Sequence, residues 1–184
     1  MESSEKLLFA VLVPHRDCFP VLETYRRNLF ARGIDGAFSF PAAAPLALLK
    51  RPLKTAELKN TAAELRKNLR DEKIVCTGYS ECSAWNTEIR FFGMTLDLPL
   101  PAFPPDAVLQ LWEKPILAPA IITPDDNPEL KSIANTVPEL SFRAAALANL
   151  ALQPVPNTPY SFTWEMGSLH WLPRYYKGNL KNVV

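Results

Sequence analysis

Glycine is scarce in this chain, six residues in 184, while proline reaches eighteen. Few glycines mean few positions free to take a positive φ, and neither phosphate-cradling string, GxGxxG or the Walker loop, occurs. Dinucleotide and P-loop binding are set aside on that ground. Histidine is rarer, at two: His15 and His170. The cysteines are three, Cys18, Cys76 and Cys82. An odd set without CxxC spacing builds neither a disulfide framework nor a zinc site and reads as reduced thiols in a cytoplasmic protein. A charge excess is also missing. Twenty basic residues face nineteen acidic ones, for a net charge of +1, so the broad basic field of a general nucleic-acid binder is absent. The apolar stretch 7–13 is too short to cross a bilayer, and Glu2 and Glu5 precede it where a signal peptide would carry cations. We expect no membrane association, no cofactor and no metal.

What remains is ordinary globular material: 48% hydrophobic and 21% charged residues, enough for a core in a single domain spanning 1–184. Lys6–Val13 reads as a buried strand. Phe19–Arg32 reads as a helix, with Val21, Leu22, Tyr25, Leu29 and Phe30 at helical spacing and Gly33 at the C-terminal cap. Asp17 is expected to cap its start. The run 37–49 is extended, broken by Pro41 and Pro45. A second helix is expected from Thr55, as cap, to about Arg70, with Leu58, Ala62, Leu65 and Leu69 on one face. Its basic residues alternate with Glu57, Glu64, Asp71 and Glu72, which describes a solvated face before it describes a nucleic-acid patch.

Two strands are expected at 73–79 and 87–98, with a bulge at Gly93. Pro104-Pro105-Asp106 predicts a short helix to about Glu113, followed by a strand over 116–123 and a surface loop over 124–138. Residues 140–152 have the alanine and leucine content of a helix, yet we expect them to be extended and to pair with a last strand at 160–171. The fold class is α+β, with mostly antiparallel sheets and helices packed outside them.

This order, with LLFAVLVP at the first strand, APLALL at the second, LAPAIIT at the sixth and a closing strand pair, resembles the 2H phosphoesterase superfamily, in particular bacterial 2′-5′ RNA ligase and cyclic phosphodiesterase-like proteins. The resemblance implies a bilobal fold with a central groove and two His-x-Thr/Ser strings facing each other across it. Neither string is present. Where the first would stand the chain reads Ala44-Pro45-Leu46-Ala47, with Pro45 and Ala47 at the histidine and threonine positions. Where the second would stand it reads Ala118-Pro119-Ala120-Ile121-Ile122-Thr123, with Ala120 and Ile122 at those positions. A one-residue slip brings Thr123 to the hydroxyl position but supplies no histidine. Proline, alanine and isoleucine cannot move a proton or stabilise an oxyanion, so a non-catalytic protein is expected.

Strand alternation would place Ala43, Pro45, Ala47 and Leu49 on one face, and Ala118, Ala120 and Ile122 on one face. These positions would line an apolar groove suited to a small molecule or a protein side chain, or one filled by an aromatic such as Trp164 or Trp171. Arg143, Trp164, His170 and Trp171 are the candidate ligand contacts. His170 and Trp171, with Arg174, Tyr175, Tyr176 and Lys177, offer a second reading as an RNA or nucleotide contact through stacking and charge. An alternative keeps an enzyme in this groove, with His170, Arg143 or Thr123 recruited.

Overall fold

A computed structural model describes residues 7–69, 73–124, 129–134, 140–147 and 149–155. The described elements are β1 (Leu8–Val13), α1 (Phe19–Ala31), β2 (Ala44–Leu49), α2 (Thr55–Asn68), β3 (Lys73–Ser83), β4 (Arg90–Leu96), β5 (Val108–Leu111), β6 (Ala120–Ile122), α3 (Leu130–Ala134), β7 (Leu140–Arg143) and β8 (Asn149–Pro154). They form two four-stranded sheets, ordered β5-β2-β1-β8 and β6-β4-β3-β7. Every strand pairing is antiparallel. The fold is therefore α+β, as the residue pattern predicts.

The helix ends have local causes. His15, not Asp17, opens the first turn: its Nδ1 accepts the N–H of Asp17 at 3.2 Å, and Pro20 sits in the first turn of α1, where a missing donor costs least. At the other end Gly33 takes φ +96°. The N–H groups of Gly33 and Ile34 return to the carbonyls of Phe30 and Leu29, the double closure that a left-handed cap residue allows. Thr55 is the first helical residue of α2, so the cap position falls on Lys54. The Lys54 N–H is satisfied by Glu57 Oε2 at 2.8 Å, which is the carboxylate half of a capping box.

Three expectations are corrected. Val108–Leu111 is a strand, not part of a helix; Ala107 and Trp112 extend its ladder by main-chain bonds to Lys50 and Leu46. The register shift near Gly93 falls on β3, between Cys76 and Tyr79, and Gly93 itself lies opposite Ser80. Residues 140–152 are extended at both ends, with a 3-10 turn over Ala144–Leu147, but β7 pairs with β3 and β8 pairs with β1. The expected partner strand, 160–171, lies outside the described residues, as do Trp164, His170 and Trp171.

Two buried clusters occupy the two faces of the sheets. On one face, Ala10, Leu12, Ala44, Ala47, Met94, Ala120, Leu150 and Leu152 pack with Leu22, Tyr25 and Leu29 of α1 and with Leu58, Ala62 and Leu65 of α2. Helix α2 lies against β8, and Tyr25 of α1 lies against Tyr79 of β3, ring centroids 6.2 Å apart. The other face holds Phe9, Val11, Val13, Phe40, Ala43, Leu48, Phe91, Trp112, Ile116 and Ile121. It contains no residue of α1 or α2.

Candidate functional site

The two strands that would carry catalytic strings are brought together by the main chain. The N–H of Ala118 donates to the carbonyl of Ala43 at 2.9 Å. The 3-10 turn over Asp35–Phe38 presses on β6 so closely that a Cβ at Gly36 would run into the carbonyl of Ile121; only glycine fits there. Ala118 takes φ +45°, a left-handed conformation that costs an alanine about 1 kcal/mol. That strain sits where β6 turns in to meet β2.

A β-bulge redistributes the first set of positions. Ala47 lies opposite Ala10, but Pro45 lies opposite Val11, because the register slips by one residue on β2. Opposed residues in an antiparallel pair share a face. Ala47 and Leu49 therefore point to the helix side, with Ala10, while Pro45 and Ala43 point with Val11 to the other face. The expectation that Ala43, Pro45, Ala47 and Leu49 share one face fails at that bulge.

On the second strand Ala118, Ala120 and Ile122 do share a face, and it is the helix side. Ile121, opposite Phe91, is the residue that reaches the face of Ala43 and Pro45. Thr123 follows the last residue of β6. Thr123 is half-buried.

Rings fill the face between these strands. Phe9 lies 5.5 Å from Phe40 and 5.6 Å from Trp85, both edge-on, and 6.0 Å from Trp112. Phe91 lies 5.3 Å from Phe40, 5.8 Å from Trp85 and 5.8 Å from Trp112. These separations lie in the favourable range for aromatic pairs. Trp112 also ties the two sheets by donating its indole N–H to the carbonyl of Ser83 at 3.1 Å. Phe40 is held in place by a buried cation: Arg26 donates Nε to the carbonyl of Ala37 at 3.0 Å and NH2 to that of Phe40, and stacks 5.2 Å from the Phe38 ring centroid. Among the described residues the infilling aromatics are Phe9, Phe40, Trp85, Phe91 and Trp112, whose scattered positions carry no spacing signal.

The chemistry of this face is narrow. Cys82 packs at its rim, and burial together with Glu81 pushes its thiol up to about 11. Cys76, on the helix side, is pushed up to about 12 by burial. Neither is a thiolate at neutral pH, so neither is a ready nucleophile. Among the described residues no cluster of three or more His, Cys, Asp or Glu could hold a metal, and no helix is long and apolar enough to cross a membrane. Arg143 ends β7, exposed and opposite Lys73. It stands at the far edge of the sheet from β6, so the structure does not bring it to Ile122 or Thr123.

One polar group does face the rings. Gln153 of β8 lies opposite Phe9 and is 3% exposed. Its Oε1 has no hydrogen-bond partner, and its Nε2 makes only a long 3.4 Å bond to the carbonyl of Pro154. A buried amide left unmatched in this way is uncommon and costs about 1–3 kcal/mol. Leu7 and Val155, joined by a main-chain bond beside it, lie with Trp85 at the partly buried edge of the aromatic cluster. Sequence reasoning missed Gln153, since an isolated glutamine in an extended run gives no signal.

Comparison with family models, with curated proteins and with solved structures finds no match to this chain.

Proposed function

We propose that this protein is a catalytically silent relative of the 2H phosphoesterases, which binds an uncharged ligand or a partner side chain at the rim of the aromatic face between its sheets. The element order, the two antiparallel sheets and the contact between Ala43 and Ala118 support the scaffold. The observation that carries the binding reading is Gln153: a buried carbonyl oxygen without a partner, set among aromatic rings. It suits a planar molecule with an N–H donor, stacked against Trp85 or Phe9. It does not suit a phosphate, which would need cations or several N–H donors, and the described residues of this face are apolar rings and aliphatics.

Two measurements test this. No turnover of a 2′,3′-cyclic phosphate above a denatured control is expected, and turnover that survives loss of both His15 and His170 would show that the motif positions are misassigned. A planar lactam such as 2-pyridone should quench tryptophan emission in the native protein, less so in Trp85→Phe, and bind more weakly to Gln153→Met. Equal binding to Gln153→Met, with its fold intact, would remove Gln153 from the site.

A further inference from the structure

Of the described polar side chains that are at least nine-tenths buried, Gln153 alone carries a buried atom without a partner. The two ends of its amide differ. Oε1 accepts nothing among the described residues, whereas Nε2 uses one of its two N–H groups in a 3.4 Å bond to the carbonyl of Pro154. That carbonyl also fixes the amide, because turning it over would set Oε1 against another acceptor. One N–H therefore remains beside the unmatched Oε1. Phe9, opposite on β1, is a ring whose side chain offers neither a conventional donor nor an acceptor.

We propose, resting on the aromatic-edge binding read above, that Gln153 holds its ligand at two points, donating this N–H and accepting at Oε1, and so selects a ring lactam or cyclic imide. The complement of a carboxamide edge is an N–H and a C=O on the same side of one bond. A small lactam ring presents them so, because the ring forces its amide cis. A peptide main chain does not: its amide is trans, with N–H and C=O on opposite sides. An extended strand of a partner therefore answers Oε1 or Nε2, but not both from one peptide group. A pyrrole-like ring answers Oε1 alone. The surroundings favour a ring over an open primary amide, since Phe9 lies opposite Gln153 and Trp85 stands 5.6 Å from Phe9. Leu7, Trp85 and Val155 are only partly buried, and the ligand enters at this edge.

Ligand-observed NMR titration of the full chain with 2-pyridone, N-methyl-2-pyridone, pyrrole and N-methylacetamide, whose amide is trans, tests the proposal. 2-Pyridone is expected to bind about tenfold or more tightly than each of the others, because each of them leaves one Gln153 atom unmatched. In Gln153→Met, with unchanged circular dichroism, the preference for 2-pyridone over N-methyl-2-pyridone should vanish. Equal binding of 2-pyridone and pyrrole, or of 2-pyridone and N-methylacetamide, overturns the two-point contact and leaves binding at the aromatic edge standing. So does equal binding of N-methyl-2-pyridone, or a preference that survives in Gln153→Met, which would assign it to the bulk of the methyl group. Absence of binding by all four overturns the aromatic-edge reading as well. The comparison among ligands uses the wild-type chain, so a Gln153→Met chain that failed to fold would leave the test intact.

Discussion

The two faces of these sheets are cores of different kinds. The helix side is largely aliphatic and closed by α1 and α2, whose Leu22, Leu29, Leu58 and Leu65 pack onto it. The other side is built from rings, and among the described residues its cluster takes none from α1 or α2. An aliphatic layer under a helix has many small, interchangeable contacts. A ring cluster has a few large ones, each tied to a particular backbone position, such as Phe40 held through Arg26. The difference lies in how each face is filled: rings occupy the second, and among the described residues its unmatched buried polar atom lies at its edge, on Gln153.

The contrast breaks most sharply at Phe91, which touches Phe40, Trp85 and Trp112. Phe91→Ala should lower stability by about 3–5 kcal/mol, read as a lower urea midpoint, and should shift tryptophan emission. Leu65→Ala on the helix side should lower stability by a comparable about 2–5 kcal/mol with little change in emission. If both variants shifted the emission equally, the two cores would not be distinct.

A smaller effect sharpens the comparison on the helix side. The N–H of Met94 donates to the Tyr25 hydroxyl at 3.2 Å, and burial pushes that hydroxyl far up, so it stays neutral. Tyr25→Phe leaves the buried N–H without an acceptor and should cost about 1–2 kcal/mol in chemical denaturation. A neutral result would mean that water replaces the lost oxygen.

The smallest effect lies outside both cores. Arg51 holds Glu57 at 2.9 Å and 3.0 Å and also bonds Asp106 at 2.9 Å. The Arg51 bonds, then the Lys54 N–H, lower the Glu57 carboxyl from 4.5 to about 2. A carboxylate lowered on folding contributes stability that is present above its unfolded pKa and lost as pH falls through the folded one. Stability should therefore decline between about pH 4.5 and pH 2, modestly because the group is solvated. Glu57→Gln should flatten that part of the melting-temperature profile while leaving tryptophan emission alone; an unchanged slope would assign the acid response to other carboxylates.

Much of the scaffold was legible. The short apolar run at 8–13, the helical spacing from Val21 to Phe30 and the face of Leu58, Ala62 and Leu65 are each visible in a short window. Residues 106–113 were not legible, because Pro104-Pro105-Asp106 is a sound helix start and the strand there is decided by long-range bonds from Ala107 and Trp112 to β2. The candidate site was harder still. A single bulge between Ala10 and Val11 turns Ala47 away from Pro45, and no local pattern announces a bulge without a glycine. The ring cluster draws on five separated segments, so only the folded chain assembles it.

Strand β1 sits between β2 and β8, so among the described strands the first waits for one that emerges about 140 residues later. During synthesis Leu8–Val13 can pair with β2 soon after emerging, but its other edge stays open until Asn149–Pro154 has left the ribosome. Such distant pairing is slow to form. A nascent chain stopped before Asn149 would carry Phe9 and Val11 on an uncovered strand, a state that chaperones recognise and that premature termination would turn into aggregate.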